Sequence, residues 1–394
     1  MNKQEIFQAY NDYIMPTYAR LPYIFVKGKG AKLVDIDSKE YLDFFPGWGV
    51  SNLGHCHHKV VSSVREQAGK LIHLPNNFYS LQQAQLAKEL ISVAFAGKVF
   101  FCNSGAEANE AATKLSRVFG EGRRFEIITF ENSFHGRTLA CVSATGQPKY
   151  QEGFAPLVPE FKIVPFNDIE AVKKAISPKT VAIMLELVQG EGGINVAEKD
   201  FVRQLRRICD TDKLLLIVDE VQTGIGRTAK MFAYQHYGIA PDIMTLAKAL
   251  GGGMPIGVMM AKKEIADLLR PGMHASTFGG SPLVCKAALS VLRAIRKEKL
   301  LNKAEDSAVY LNKKLAFLKD RYKTIKELRG LGLMLGLDLN IDGSAIAGAC
   351  LKKGLIINCT HRTVLRMMPA LDVSKKQIDK AVKILDAVLS EKAL

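Results

Sequence analysis

The chain has 394 residues, of which 48% are apolar, a length that exceeds one small domain and points to two lobes or to one large domain with an appendage. No apolar run is long enough to span a bilayer, so a helical membrane protein is not expected. The net charge of +15 is spread along the chain beside acids, as in KKEIADLLR and RAIRKEKL, which reads as solvated helix faces that attract anionic substrates and not as a nucleic-acid surface.

The first residues, MNKQEIFQAYNDY, are polar and lack the apolar stretch of a secretory signal. The seven cysteines are odd in number and form no C-x-x-C pair, so reduced thiols and a cytoplasmic setting are expected. Residues 22–46 read as short strands with a turn at Asp37-Ser38-Lys39. From Lys59 onward helices and strands alternate. HKVVSSVREQAGKLI and LQQAQLAKELISVA have helical periodicity. The strand KVFFCN leads into the helix AEANEAATKLSRVF, FEIITFE into IEAVKKAI, and TVAIMLEL into EKDFVRQLRRICDTDK. LLLIV, DIMTLA and IGVMMA are further strands. This alternation predicts an α/β fold with a mostly parallel sheet covered by helices. After about residue 282 a long helical stretch reaches Leu318. The short strands LGLMLGLDL, LIIN and VLRMM follow, and a last helix starts at Lys375. The expected division is a large domain over 53–281 and a smaller α+β domain over 282–394, joined by the N-terminal segment 1–52.

Several strand ends carry chemistry. LLLIVDEVQTGIGRT ends an apolar strand in Asp219 and Glu220. Ligands of open α/β sheets sit at the carboxyl ends of strands. Such an acid can hold Mg²⁺ in a nucleotide hydrolase, hold a cationic group of an organic cofactor, or cap the next helix. The first use calls for a phosphate loop, G-x-x-x-x-G-K-[S/T], and the chain has none. In TLAKALGGGMPIG, Lys248 precedes three glycines. A lysine there binds phosphate, forms a Schiff base with a carbonyl, or is merely a surface lysine beside a loop. In KVFFCNSGAEANEAA, Ser104-Gly105-Ala106 open a helix, which is either an anion site or plain capping. ENSFHGRT offers the flat faces of Phe134 and His135 and the fork of Arg137. ELVQGEGG contributes Glu186 and Glu191, and VLRMMP contributes Arg366. A lysine Schiff base with an aspartate at a ring nitrogen is the pyridoxal phosphate pattern. HCHH at 55–58 has no second ligand pair to complete four zinc ligands, so no metal is expected.

Taken together, SGAEANEAA, FHGRT, VDEVQTGIGRT, AKALGGGMPIG and STFGG resemble the class III pyridoxal phosphate aminotransferases of fold type I, and the likeness runs from YLDFFPGWGVSNLGHCH to VLRMMPALDVSKKQID. The resemblance implies a large domain with a mainly parallel seven-stranded sheet and a smaller α+β domain. It implies that Lys248 bonds the cofactor's aldehyde and then shuttles the substrate proton, while Asp219 pairs with the pyridinium. Gln222 would hydrogen-bond the phenolic side of the ring and Phe134 would stack on it. Ser104, Gly105 and Ala106 would hold the phosphate, with His135, Glu186 and Val221 as further cofactor contacts. Thr277 would reach the phosphate of a neighbouring subunit, making the active unit at least a homodimer. Arg137 would take a distal substrate carboxylate, and Arg366 the α-carboxylate of glutamate or 2-oxoglutarate. Glu191 would pair with Arg366 when an ω-amine is bound, with Trp48 and Ser276 also on the substrate side.

The implied reaction moves the δ-amino group of N²-acetylornithine to 2-oxoglutarate, giving N-acetylglutamate 5-semialdehyde and glutamate, as in arginine biosynthesis. Ornithine, succinylornithine, 4-aminobutyrate and acylated lysine precursors are the other donors the family suggests. Three positions depart from the family pattern. Leu187 replaces a proline in E-P-x-Q-G-E, His58 replaces the proline of G-H-x-H-P, and Trp48 stands where a smaller aliphatic residue is usual. Trp48 leaves the amine donor open. A nucleotide- or nucleic-acid-binding protein is the alternative of another class, and it calls for a phosphate loop and a clustered basic face.

Overall fold

The structure, a computed structural model, describes residues 1–392. It opens with the helix Lys3–Tyr13, started by a reciprocal capping box between Asn2 and Glu5, and none of its residues is buried. Strands β1 (Phe25–Lys29), β2 (Lys32–Asp35) and β3 (Glu40–Asp43) form an antiparallel meander. The expected turn between β2 and β3 is tied by Asp35, whose Oδ1 accepts the N–H groups of Asp37 at 3.0 Å and Lys39 at 2.9 Å.

The central sheet is built from β4 (Gly97–Cys102), β5 (Glu126–Phe130), β6 (Phe161–Val164) and β7 (Thr180–Leu185). A small hairpin of β8 (Val188–Gln189) and β9 (Asn195–Val196) follows, and then come β10 (Leu215–Asp219), β11 (Ile243–Leu246) and β12 (Gly257–Lys262). The seven strands run in the order β4-β12-β11-β10-β7-β5-β6, and β12 alone opposes the others. β10 lies at the centre with all five residues buried, which is why it reads as an unbroken apolar run. Its side chains alternate between two cores: Leu216 and Val218 pack on one face, Leu215 and Ile217 on the other. The covering helices follow their apolar stripes. In Lys199–Asp212 the buried residues are Phe201, Val202, Leu205 and Cys209, a single face at helical spacing.

The predicted helical stretch from 282 to 318 is two helices, Pro282–Lys297 and Leu300–Arg321. Lys299 turns the chain at φ 52°, and Glu298 beside it is held by Lys59 at 2.7 Å and His57 at 3.5 Å. Arg296-Lys297-Glu298-Lys299 interrupt the apolar stripe at this corner, and the ion-pair partners that hold Glu298 come from far along the chain. The first helix packs on His58–Ala68 and Leu81–Val93. Beyond it, β13 (Ile325–Leu331), β14 (Met334–Leu339), β15 (Leu355–Ile356), β16 (Asn358–Thr360) and β17 (Val364–Met367) precede the final helix Lys375–Lys392. An antiparallel sheet runs β13-β14-β17-β16, while β15 pairs in parallel with β3 and extends the N-terminal meander. The predicted strand LGLMLGLDL is therefore the tight turn of a hairpin followed by β14, and LIIN is divided between two sheets. Among the described residues no helix is long and apolar enough to cross a membrane.

Candidate active site

The carboxyl ends of β4, β5, β7, β10 and β11 meet on one edge of the sheet, and the residues that follow them surround a cavity of about 360 Å³. Asp219, the last residue of β10, lies at this edge and is buried. Its Oδ2 accepts from Asn109 Nδ2 at 2.8 Å and from His135 Nδ1 at 2.9 Å, and its Oδ1 accepts the Val221 N–H at 3.0 Å. The carboxylate is thereby fixed in place by three segments of chain. Burial opposes a charge on His135, but the hydrogen bond and charge of Asp219, with Glu186 behind it, outweigh burial and raise its pKa. The other ring nitrogen, Nε2, is buried without a partner.

Glu186 follows β7. It accepts the N–H of Phe134 at 2.8 Å and of Gly190 at 3.3 Å, and burial pushes its carboxyl up to about 7 against the pull of His135. Glu220, next to Asp219, turns away from the cavity. It accepts the N–H groups of Ala233 at 2.9 Å and Tyr234 at 2.8 Å and the Thr223 hydroxyl at 2.7 Å. The second acid of the motif is thus a fastener for the loop after β10.

Lys248 follows β11 at φ 43° and reaches the cavity, where solvent still touches it. Burial lowers its pKa and the nearby Arg366 adds to that, against Glu191, Asp219 and Glu186. Ser104, Gly105 and Ala106 contribute the start of the helix Gly105–Phe119. Ser104 Oγ caps the helix by accepting the Glu107 N–H at 3.2 Å, and the first-turn N–H groups of Gly105 and Ala106 have no intrahelical acceptor. Val221 packs on this turn so closely that a Cβ at Gly105 would lie 2.8 Å from it.

The sequence-predicted pair Glu191 and Arg366 is in direct contact. Arg366 Nη1 donates to Glu191 Oε1 at 2.8 Å and to the Gly190 carbonyl at 2.7 Å, while Asn358 Oδ1 accepts from Nη2 at 2.8 Å and Nε at 3.2 Å. The guanidinium also lies 4.6 Å from the Phe45 ring centroid. Glu191 lines the cavity whereas Arg366 is fully buried behind it, so Glu191 stands between the arginine and the open space. Burial would raise the Glu191 carboxyl, but the charge and hydrogen bond of Arg366 bring it below its ordinary value. Gln222 joins the group: its Oε1 accepts from Arg366 at 3.4 Å, and its Nε2 donates to the Trp48 carbonyl at 3.3 Å. A Cβ at Gly190 would meet the Gln222 amide oxygen, so a side chain there would displace the end of Gln222.

Other predicted residues lie at the rim or beyond it. Trp48 is 51% exposed, sits at φ 56° between two glycines and meets Phe45 edge-on. Arg137 is exposed and makes no ion pair among the described residues, and its Cζ lies 4.3 Å from the Tyr150 ring centroid. Ser276 and Thr277 do not line the main cavity; they border a neighbouring recess with Glu107 and His274. Of the HCHH histidines, His55 takes Asp43 at 2.7 Å, while His57 faces Glu298 at 3.5 Å and lies 4.7 Å from the His58 ring. Sequence reasoning missed Asn109, Asn358 and Tyr150. Asn109 alone left a signal, as a polar residue on the inward face of the helix opened by SGAEANEAA.

The family model described as "Aminotransferase class-III" matches residues 13–389. The acetylornithine aminotransferase of Methanocaldococcus jannaschii is 51% identical, over 99% of this chain and 99% of that protein. That of Caldanaerobacter subterraneus subsp. tengcongensis is 50% identical, over 96% and 98%. The crystal structure of the ornithine aminotransferase from Toxoplasma gondii superposes with a TM-score of 0.96 at 30% identity, covering 100% of this chain and 96% of that one.

Proposed function

We propose that this chain, which belongs to the class III aminotransferases, moves the δ-amino group of N²-acetylornithine to 2-oxoglutarate, giving N-acetylglutamate 5-semialdehyde and glutamate. The observation that carries the reading is the Glu191–Arg366 pair at 2.8 Å beside Lys248, with a second arginine, Arg137, at the rim. Glutamate brings a carboxylate next to its reacting nitrogen, whereas an ω-amine brings only methylene there. A site that serves both needs a cation that can be covered and uncovered. Glu191 covers Arg366 for the ω-amine and swings away for glutamate, and Arg137 takes the carboxylate at the far end of the donor. The identity to acetylornithine aminotransferases supports the choice of donor.

Class III aminotransferases work with pyridoxal phosphate, and the cavity residues fit that group. Asp219, anchored by Asn109, His135 and the Val221 N–H, retains one lone pair, on Oδ1, for a protonated ring nitrogen. The unfilled N–H groups of Gly105 and Ala106 and the Ser104 hydroxyl suit a phosphate. Phe134 offers a face to the ring, Gln222 a donor to its phenolic oxygen, and Val221, His135 and Glu186 complete the walls. When bound, pyridoxal phosphate supplies an aldehyde that condenses with amines and a ring that withdraws electrons from the adjoining carbon. Burial lowers the Lys248 pKa, which favours its free amine, and that Nζ would take a proton from the substrate carbon and return it nearby. Thr277, outside the cavity, serves the phosphate of a second copy, and Ser276 orients its loop by accepting from Asn103 Nδ2 at 3.2 Å. The working unit is then a homodimer in the cytoplasm, consistent with seven free thiols. We assign 53–281 to the large domain and 282–394 with 1–52 to the smaller one; the β3–β15 pairing supports the joining of the N-terminal segment to the smaller domain, whereas the helix Pro282–Lys297 packs on His58–Ala68 and Leu81–Val93 of the large one.

An absorbance scan of the purified protein tests the reading. A yellow band should bleach fastest with N²-acetylornithine, compared with ornithine and 4-aminobutyrate, and return with 2-oxoglutarate. Faster bleaching by another amine changes the donor. Absence of a band after pyridoxal phosphate is supplied removes the roles given to Lys248 and Asp219.

A further inference from the structure

We infer that Tyr150 is a positioning residue: it holds Arg137 at the rim of the cavity and so sets how well the site takes an amine donor that carries a carboxylate away from its reacting nitrogen. The inference rests on the reading of Arg137 given above.

Arg137 is exposed, and no carboxylate of the described residues pairs with it. A guanidinium on a long free stem samples many rotamers, and ordering it for a ligand costs free energy. Two aromatic rings restrain it instead. Its Cζ lies 4.3 Å from the Tyr150 centroid and 5.6 Å from that of Phe134. The two rings brace each other edge-to-face, 5.3 Å apart at 76°. Each is also anchored from behind. Glu186 accepts the Phe134 N–H, and Tyr150 ends the short turn Pro148–Tyr150, whose exit is tied by Gln151 Nε2 to the carbonyls of Thr145 at 2.9 Å and Val142 at 3.2 Å. A contact with a ring consumes no carboxylate, so the N–H fork of Arg137 stays available for one.

The tyrosine also feels the remainder of the substrate site. Burial raises its hydroxyl pKa first, Glu191 adds to that, and Arg137 and Arg366 oppose it, so the ring stays neutral and keeps its negative face. Arg366, by contrast, is held by Asn358, Gly190 and Glu191 and makes its ring contact with Phe45. The two carboxylate-binding arginines therefore have separate supports, and loss of Tyr150 should affect one of them alone.

Steady-state kinetics of the holoenzyme test this with Tyr150→Leu, Tyr150→Phe and Arg137→Ala. The substrates are N²-acetylornithine, glutamate, and N-acetylputrescine, which lacks the carboxylate. Tyr150→Leu should raise KM about tenfold for N²-acetylornithine, and also raise it for glutamate through its γ-carboxylate, while kcat and KM for N-acetylputrescine change less than about twofold. Tyr150→Phe keeps the ring and should restore KM. An equal rise for N-acetylputrescine, or no rise for N²-acetylornithine, would overturn the inference. If Arg137→Ala raises KM and Tyr150→Leu does not, the reading of Arg137 stands and that of Tyr150 falls. If Arg137→Ala has no effect, both fall. The N-acetylputrescine reaction reports whether the site is intact, and Tyr150→Gln replaces the leucine variant if that one does not fold. Should N²-acetylornithine not be the donor, 4-aminobutyrate and butylamine form the equivalent pair.

Discussion

Asp219 and Glu220 are adjacent carboxylates that face opposite ways, as neighbours at a strand end must. Asp219 meets the cavity, while Glu220 fastens the loop at Ala233–Tyr234. Burial raises the Glu220 carboxyl from 4.5 to about 7. Because the folded value lies above the unfolded one, its contribution to stability is complete below the unfolded pKa and is lost as pH rises through the folded value. The melting temperature should therefore fall between about pH 5 and pH 8, with a shallower slope in Glu220→Gln. A slope unchanged by the substitution would remove Glu220 as its source. Glu191 supplies the second prediction. Glu191→Ala uncovers Arg366, so reactivity with glutamate relative to the ω-amine should rise about fivefold or more in single-turnover traces; an unchanged ratio argues against a cover. Most of these groups were legible in the sequence because motif residues stand at strand ends, as Lys248, Asp219, Ser104 and Phe134 do. Asn358 and Tyr150 were not, since they support other side chains and are brought there by packing of distant segments, and Asn109 showed only as a polar residue on the inward face of a motif helix.

The same contrast holds for elements. The parallel strands announced themselves as short apolar runs between amphipathic helices, and they fall close to where the pattern puts them. The division of LIIN between two sheets did not, because it depends on partners far along the chain, and the corner at Lys299 showed only as a charged interruption of the apolar stripe. The loop after β10 shows how such partners act. Arg227 is completely buried, and no acid among the described residues pairs with it. Its guanidinium donates to the carbonyls of Leu333 at 3.0 Å and Pro369 at 2.6 Å and to Asn52 Oδ1. Burial pulls its pKa down to about 9. Gly332 allows the approach, since its φ is 60° and a Cβ would overlap Thr228. Arg227→Met keeps the volume but orphans three acceptors, so urea unfolding should register a loss of about 2–4 kcal/mol. A loss under about 0.5 kcal/mol would mean that water replaces the guanidinium at little cost.

At the scale of the molecule, the proposed sharing of Thr277 between copies makes a complementation test possible. Lys248→Ala and Thr277→Glu each disable a different part of the same composite site. Mixed and refolded together, they should regain about a quarter of wild-type activity per subunit, the fraction of sites in a random dimer population that receive both intact residues. No recovery would mean that each copy completes its own site. Arg227 also has a meaning in time. Its three acceptors come from near residue 52, from residue 333 and from residue 369, so the cation cannot be buried with its bonds made until the last of these has been synthesised. The strand that ends in Asp219 can form earlier, with its neighbours already in the sheet. The loop leaving it cannot settle until the C-terminal part of the chain has docked. A nascent or truncated chain therefore holds most of the sheet but an unfinished catalytic edge, and the capacity to capture a cofactor arrives as one of the last events of folding.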